Sequence, residues 1–342
     1  MKNSELYYLL GHCLVLGEDP EFEEKLRSII SSGEIDYEKF VYMASSHLVT
    51  PLIYRRFLDN GILDDLPQEL CSYLEEIYAL NLARNQRILR QTEEFTAVLN
   101  GHNIFPVLLK GAGNLADGLY KDPGDRMMID IDILAPGSEF LKSVEILGKM
   151  GYERFDNEYI DIETCQHYPR LIRPNDPAGV EVHRVPVPEK YSKWLNNRII
   201  ESELKTPGSL PGSHVLSDRY KLLHCYIHGQ LSHGGRRYGM VSFRDIYDTW
   251  LLAAKISDNE MTIPGPFIKR AADYFYLTGK ITGRPLPGLA PGDKSRSGFL
   301  LRHHLNISSK AFYKLNLISL KSVAYLSTFL RMFTCEVSGF QP

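Results

Sequence analysis

Met127-Met128-Ile129-Asp130-Ile131-Asp132-Ile133-Leu134 is an apolar run interrupted by two aspartates one residue apart. Successive residues of a strand point to opposite faces, so Asp130 and Asp132 fall on one side and Ile129, Ile131 and Ile133 on the other. One face is then core, and the other holds two carboxylates about 7 Å apart. Like charges at that spacing repel, and burying either without a partner is costly, so the pattern requires a cation. Oxygen ligands suit a hard divalent ion, Mg²⁺ first and Mn²⁺ in its place.

Upstream, Ile104 to Leu109 reads as a buried strand, which Lys110-Gly111-Ala112-Gly113 turns into a short helix ending near Tyr120. Free backbone N–H groups and the helix dipole attract anions at such a turn, and glycine lets a phosphate approach the backbone. Lys110 is either a phosphate ligand or the exposed end of the strand. Between the turn Asp122-Pro123-Gly124-Asp125 and the aspartates stands Arg126. Its guanidinium either meets a triphosphate in bidentate fashion or pairs with Asp130 or Asp132.

Downstream, Ser138 to Met150 reads as a helix capped by Ser138 and closed by Gly151. His167 to Arg173 and Val180 to Val187 flank Pro174-Asn175-Asp176-Pro177-Ala178-Gly179 and predict a hairpin. In its second arm Glu181 and His183 share a face, which supplies a third carboxylate. His183 stands beside the metal or the acceptor, or is a hydrogen-bonded structural residue. Metal-bridged phosphates, an anion-binding turn and a third acid are what nucleotidyl transfer needs.

The flanks read as helical. Residues 1–100 form an N-terminal helical region whose last helix, Pro67 to Asn100, carries an apolar stripe of Leu82, Ile88, Leu89, Phe95, Val98 and Leu99. Residues 101–188 form the α/β core. Residues 189–342 are read as helical again, apart from the loop-rich Gly279 to Gly298. The fold class is therefore α+β, a small mixed sheet with helices, framed by helical regions. His224 and His228 share a helix face at i, i+4, with His233, Asp245 and Asp248 downstream. Without the glutamate of a His-Glu-x-x-His motif or a cysteine at metal spacing, a zinc or iron site is disfavoured. A helical wall carrying His224, His228 and Asp245, which faces the acceptor or packs on the α/β core, is preferred, with Arg244 pairing Asp245. Arg302-His303-His304 reads as surface.

Charged residues make up 24% of the 342 and hydrophobic ones 44%, which is the composition of a soluble globular protein. A net charge of -3 gives no global basic field for nucleic acid. The five cysteines include no Cys-x-x-Cys pair, which predicts free thiols and a cytoplasmic location. Tyr7 to Gly17 is apolar enough to imitate a signal core, but Glu5, His12 and the lack of a small-residue cleavage site argue against one. From Lys280 onward the chain is net +7, whereas the remainder is net -10. Lys310, Lys314, Lys321 and Arg331 fall within an arc of about 100°, with Phe312, Leu315, Ile318, Leu326 and Leu330 largely elsewhere. This basic amphipathic helix is read as a packed helix with a solvated face, ahead of peripheral membrane contact or an acidic partner.

Leu109-Lys110-Gly111, Tyr120-x-Asp122-Pro123-Gly124-x-Arg126, Asp130-Ile131-Asp132-Ile133-Leu134 and Glu181-Val182-His183 together resemble the uncharacterised nucleotidyltransferase family of the polymerase-beta-like superfamily. The N-terminal helices and His224 to Leu252 share the likeness, which covers most of residues 1–255. The resemblance implies that Gly111 begins a phosphate-binding turn, with Lys110, Ala112 and Arg126 as nucleotide-binding neighbours. It implies that Asp130 and Asp132 hold two Mg²⁺ ions, and that Glu181 ligates metal or takes the acceptor's proton. Many superfamily members have Gly-Ser or Gly-Gly where this chain has Gly111-Ala112. The implied activity is transfer of a nucleoside monophosphate from an NTP, ATP first, to an acceptor hydroxyl with release of pyrophosphate. Overall acidity favours a small molecule or sugar as acceptor. The alternatives are a toxin-like transferase acting on RNA or protein, and a degenerate nucleotide-binding or scaffolding protein, for which Ala112 is the support.

Overall fold

The computed structural model describes residues 1–156, 161–256, 265–286 and 297–318. Polar caps open the first helices. Asp19 accepts from the Phe22 N–H at the start of α2 (Pro20–Ser31), and Asp36 from the Lys39 N–H at the start of α3 (Tyr37–Ser46). With α1 (Asn3–Cys13), α4 (Thr50–Asp59) and the 34-residue α5 (Gln68–Gly101) they form the N-terminal helical layer.

The sheet begins at β1 (Val107–Leu108), followed by α6 (Lys110–Ala116), β2 (Asp130–Leu134), α7 (Glu139–Lys149), β3 (Glu153–Arg154), β4 (Leu171–Ile172) and β5 (Gly179–His183). It continues past residue 188. After α8 (Asn197–Glu201), β6 (Leu204–Lys205) and β7 (His214–Leu216) complete a seven-stranded sheet of order β3-β4-β5-β2-β1-β7-β6. The pairs β2/β5 and β1/β7 are parallel and the others antiparallel. The sequence reading took this segment as helical. Strands of two and three residues are too short to show a period, and β7 owes its conformation to pairing with β1. Helices α9 (Asp218–Tyr226), α10 (Gly235–Tyr238), α11 (Phe243–Ala253), α12 (Gly265–Thr282) and α13 (Gly298–Ser308) follow.

Several local expectations change. Strand β2 starts at Asp130, so Ile129 lies outside it and is 53% exposed, while Ile131 and Ile133 are fully buried. Ser138 occupies the N-cap of α7, but its side chain makes no capping hydrogen bond. The hairpin forms as β4 and β5, with Leu171 opposite Val180 and an outlying bridge from His167 to His183. His303 is buried, with its Nδ1 3.0 Å from the Gly239 carbonyl, whereas the sequence reading placed it on the surface. Lys310 and Lys314 are exposed as expected, but so are Leu315 and Ile318. Lys321, Arg331, Leu326 and Leu330 lie outside the described residues.

The largest departure is α5. Ile88, Phe95 and Leu99 are buried as expected, but Val98 is exposed, and the inner face also carries Asn81, Asn85, Gln91, Thr92 and Thr96. These polar side chains have a purpose. Asn81 donates to the Gly124 carbonyl, Asn85 to Pro123 and Arg126, Arg84 to Met128 and Pro177, and Gln91 to Ala178. The carbonyls of the two loops that lead into β2 and β5 are buried away from sheet partners, so α5 supplies their hydrogen bonds. No helix among the described residues is long and apolar enough to cross a membrane.

Candidate active site

Parallel pairing sets β2 and β5 in a register that puts Asp132 directly beside Glu181 and Leu134 beside His183. Side chains on one face of neighbouring strands meet, so the three acids gather on one side of the sheet. Asp132 is 2% exposed, with His183 Nε2 at 2.8 Å and Lys110 Nζ at 2.7 Å from its Oδ1. Lys110 reaches it because Leu109 donates to the Asp132 carbonyl, which brings the start of α6 alongside β2. Lys110 itself has φ +47°, a left-handed conformation that costs a side-chain-bearing residue about 1 kcal/mol or more.

Asp130 and Glu181 share a partner that the sequence reading missed. Arg170 Nη2 lies 2.8 Å from Asp130 Oδ2 and 3.1 Å from Glu181 Oε1. The available signal was its place on the first arm of the hairpin, opposite Glu181. The carboxylates are therefore flanked by Lys110 on one side and Arg170 on the other. Burial pushes the Asp132 carboxyl up, but Lys110 and His183 outweigh it and hold it far below the usual carboxylate range. Asp130 moves the other way, raised by burial and then by the charges of Asp132 and Glu181. Burial lowers His183 against the pull of Asp132, and its Nδ1 is buried without a partner among the described residues.

These groups fit a divalent ion. Asp132, Glu181 and His183 each bring one ligand atom to within 4.8 Å of the others. Asp130 stands outside that cluster, joined to it through Arg170. Carboxylate oxygens suit Mg²⁺ or Mn²⁺, while His183, hydrogen-bonded to Asp132, has the position of a residue that orients a ligating carboxylate.

On the proposed phosphate side, Arg126 departs from the reading that pairs it with Asp130 or Asp132. It is 5% exposed and grips Asp248 through Nε at 3.0 Å and Nη2 at 2.7 Å, with the Tyr120 hydroxyl 2.6 Å from the same carboxylate. Its partner is thus neither Asp130 nor Asp132. Burial raises Asp248, but Arg126 more than offsets this and keeps it ionised. Arg126 Nη1 is turned toward Gly111, where an added Cβ would sit 2.3 Å from it and 2.7 Å from Met128 Sδ. A side chain at Gly111 would therefore have to displace Met128 or Arg126, the latter already held by Asp248. Ala112 is buried in α6.

His224 Nε2 lies 3.1 Å from the Pro186 carbonyl, and burial lowers its pKa to about 4, as fits a neutral packed residue. His228 falls in a π-helical turn, Ile227–Ser232, and lies against His233 with ring centroids 4.0 Å apart and planes tilted by 52°. Arg244 and Asp245 pair at 3.5 Å. Two spaces meet at the acids. A narrow cleft of about 60 Å³ runs past Gly111, Arg126, Asp132 and Asp248. A groove of about 1090 Å³ runs outward past Glu181, Arg170 and His233. Lys110, Asp130, His228, Arg244 and Asp245 line both.

A family model described as an uncharacterised nucleotidyltransferase matches residues 33–274, from within the N-terminal helices to α12. Comparison with curated proteins and with solved structures found no match.

Proposed function

Because the chain belongs to the uncharacterised nucleotidyltransferase family, and is thus a transferase of phosphorus-containing groups, we propose that it moves a nucleoside monophosphate from an NTP to an acceptor hydroxyl. The observation that carries this reading is the β2/β5 register, which gathers Asp130, Asp132 and Glu181 beside the Gly111 turn. In the reaction the acceptor oxygen attacks the α-phosphorus and the bond from that phosphorus to the β-bridging oxygen breaks. Pyrophosphate departs with the bonding electrons, and the hydroxyl proton passes to a carboxylate, for which Glu181 is the best placed. Asp130, Asp132 and Glu181 would hold Mg²⁺ or Mn²⁺, which when bound neutralises phosphate charge and lowers the acceptor's pKa. Lys110, Arg126 Nη1 and Arg244 face the cleft as cations able to orient phosphate oxygens. ATP is the donor first to be tried. The free thiols at Cys13, Cys71, Cys165 and Cys225 support a cytoplasmic setting.

A second reading has its own support. Lys110 and Arg170 already neutralise the acids, as they would in a degenerate nucleotide-binding protein. Calorimetric titration of ATP and CTP with and without Mg²⁺, followed by a pyrophosphate-release assay, separates the two. The transferase reading expects Mg²⁺-dependent binding and pyrophosphate release that Asp130→Asn abolishes. Binding with no release across a broad acceptor panel favours the degenerate protein, and no Mg²⁺-dependent binding sinks both.

A further inference from the structure

The 1090 Å³ groove exceeds the roughly 300–1,000 Å³ that a drug-sized ligand fills. Its walls change character with distance from the acids. Among the described residues its carboxylates are Asp130, Glu181 and Asp245, all at the catalytic end. Toward the other end it is lined by Lys39 and Tyr42 from α3 and by Lys310 and Tyr313 from the helical residues 310–318. Each lysine precedes its tyrosine by three positions, so each pair shares one helix face. Tyr42 is 77% exposed and Tyr313 43%. His47, which also lines the groove, stacks on Phe243 at 4.2 Å. Lys39 is partly engaged by Asp36, whereas Lys310 has no ion-pair partner among the described residues.

An aromatic face beside a cation, presented by two separate helices that line one groove, matches a chain of stacked bases joined by phosphates. A sugar or small metabolite would leave both outer pairs without a role, and near-neutral overall composition does not bear on a groove whose outer end is locally basic. Resting on the transfer reading above, we propose that the acceptor is the 3′ end of a single-stranded nucleic acid. Bases upstream of the terminus stack on Tyr42 and Tyr313, Lys310 contacts the backbone there, and the terminal 3′-hydroxyl reaches the acids. The transfer is the one already balanced, with the 3′ oxygen as nucleophile.

The test uses the full chain and fluorescein-labelled oligonucleotides of about ten nucleotides, as RNA and as DNA of the same sequence, read by anisotropy. Tyr42→Ala and Tyr313→Ala should each weaken binding by about 5- to 100-fold, while Tyr→Phe at either position retains it. Lys310→Gln should reduce the slope of log affinity against log salt by about 0.7. Whichever of the RNA and DNA arms depends on the tyrosines identifies the sugar. Binding indifferent to both tyrosines overturns the proposal, as does equal displacement by a hairpin duplex, an acidic peptide or phosphatidylserine vesicles. Mg²⁺-dependent NTP binding is measured on the same variants. If it persists while oligonucleotides ignore the tyrosines, the acceptor assignment falls and the transfer reading stands. If it is absent while tyrosine-dependent binding holds, the groove stands and the transfer reading falls.

Discussion

Replacing Arg170 with methionine should tighten divalent-metal binding. A guanidinium 2.8 Å from Asp130 and 3.1 Å from Glu181 occupies the charge that a metal would need, so ion and side chain compete. Arg170 is about one-third exposed, and each such pair contributes about 0.2–1 kcal/mol. Releasing two pairs therefore removes a competition of about 0.4–2 kcal/mol, equivalent to about 2- to 30-fold in Kd. Repulsion between ion and guanidinium acts in the same direction. The assay is titration of Mn²⁺ at fixed ionic strength, with free Mn²⁺ followed by electron paramagnetic resonance and Mg²⁺ as competitor. Arg170→Lys, which keeps a charge but loses the fork, should fall between the two. Circular dichroism checks that the variants remain folded. Unchanged or weaker metal affinity in the methionine variant would refute the competition.

Asp248→Asn leaves Arg126 charged and buried without its carboxylate, and should cost about 3–5 kcal/mol in urea denaturation; a loss under about 1 kcal/mol would show that the pair is not the fastener the geometry indicates. Asp125 is raised to about 7 by burial and then by the charge of Asp122, with Arg55 4.0 Å away. The folded protein thus keeps a proton that the unfolded chain has lost between about pH 4 and 7, so this group's contribution falls as pH rises through that window and is level above it. Asp125→Asn should flatten that segment of Tm against pH, and an unchanged profile would count against the assignment.

Much of the site could be read from the chain because its logic is local. The alternation in Asp130-Ile131-Asp132 and in Glu181-Val182-His183 fixes which side chains share a face without knowledge of the partner strand. Partnership was harder to read. That Asp132 stands beside Glu181 depends on a parallel register between strands about fifty residues apart, and Arg126 finds Asp248 at a separation of 122. No periodicity encodes either. Strands β6 and β7 were missed because two or three residues carry no pattern. On α5, Asn81, Asn85 and Gln91 have the composition of a solvated face, and only the unpaired carbonyls opposite them make it an inner one.

That helix has a metrical consequence. Asn81 holds the loop before β2 and Gln91 the loop before β5. Ten residues at 1.5 Å each separate them by about 15 Å along a rigid rod. The helix is therefore a ruler, and the distance between the two loops is written in a segment that lines neither the cleft nor the groove. Inserting one residue between Asn85 and Gln91 would turn the second mark by about 100° and lengthen the rule by about 1.5 Å. The acids would then drift out of register with every one of their own residues unchanged.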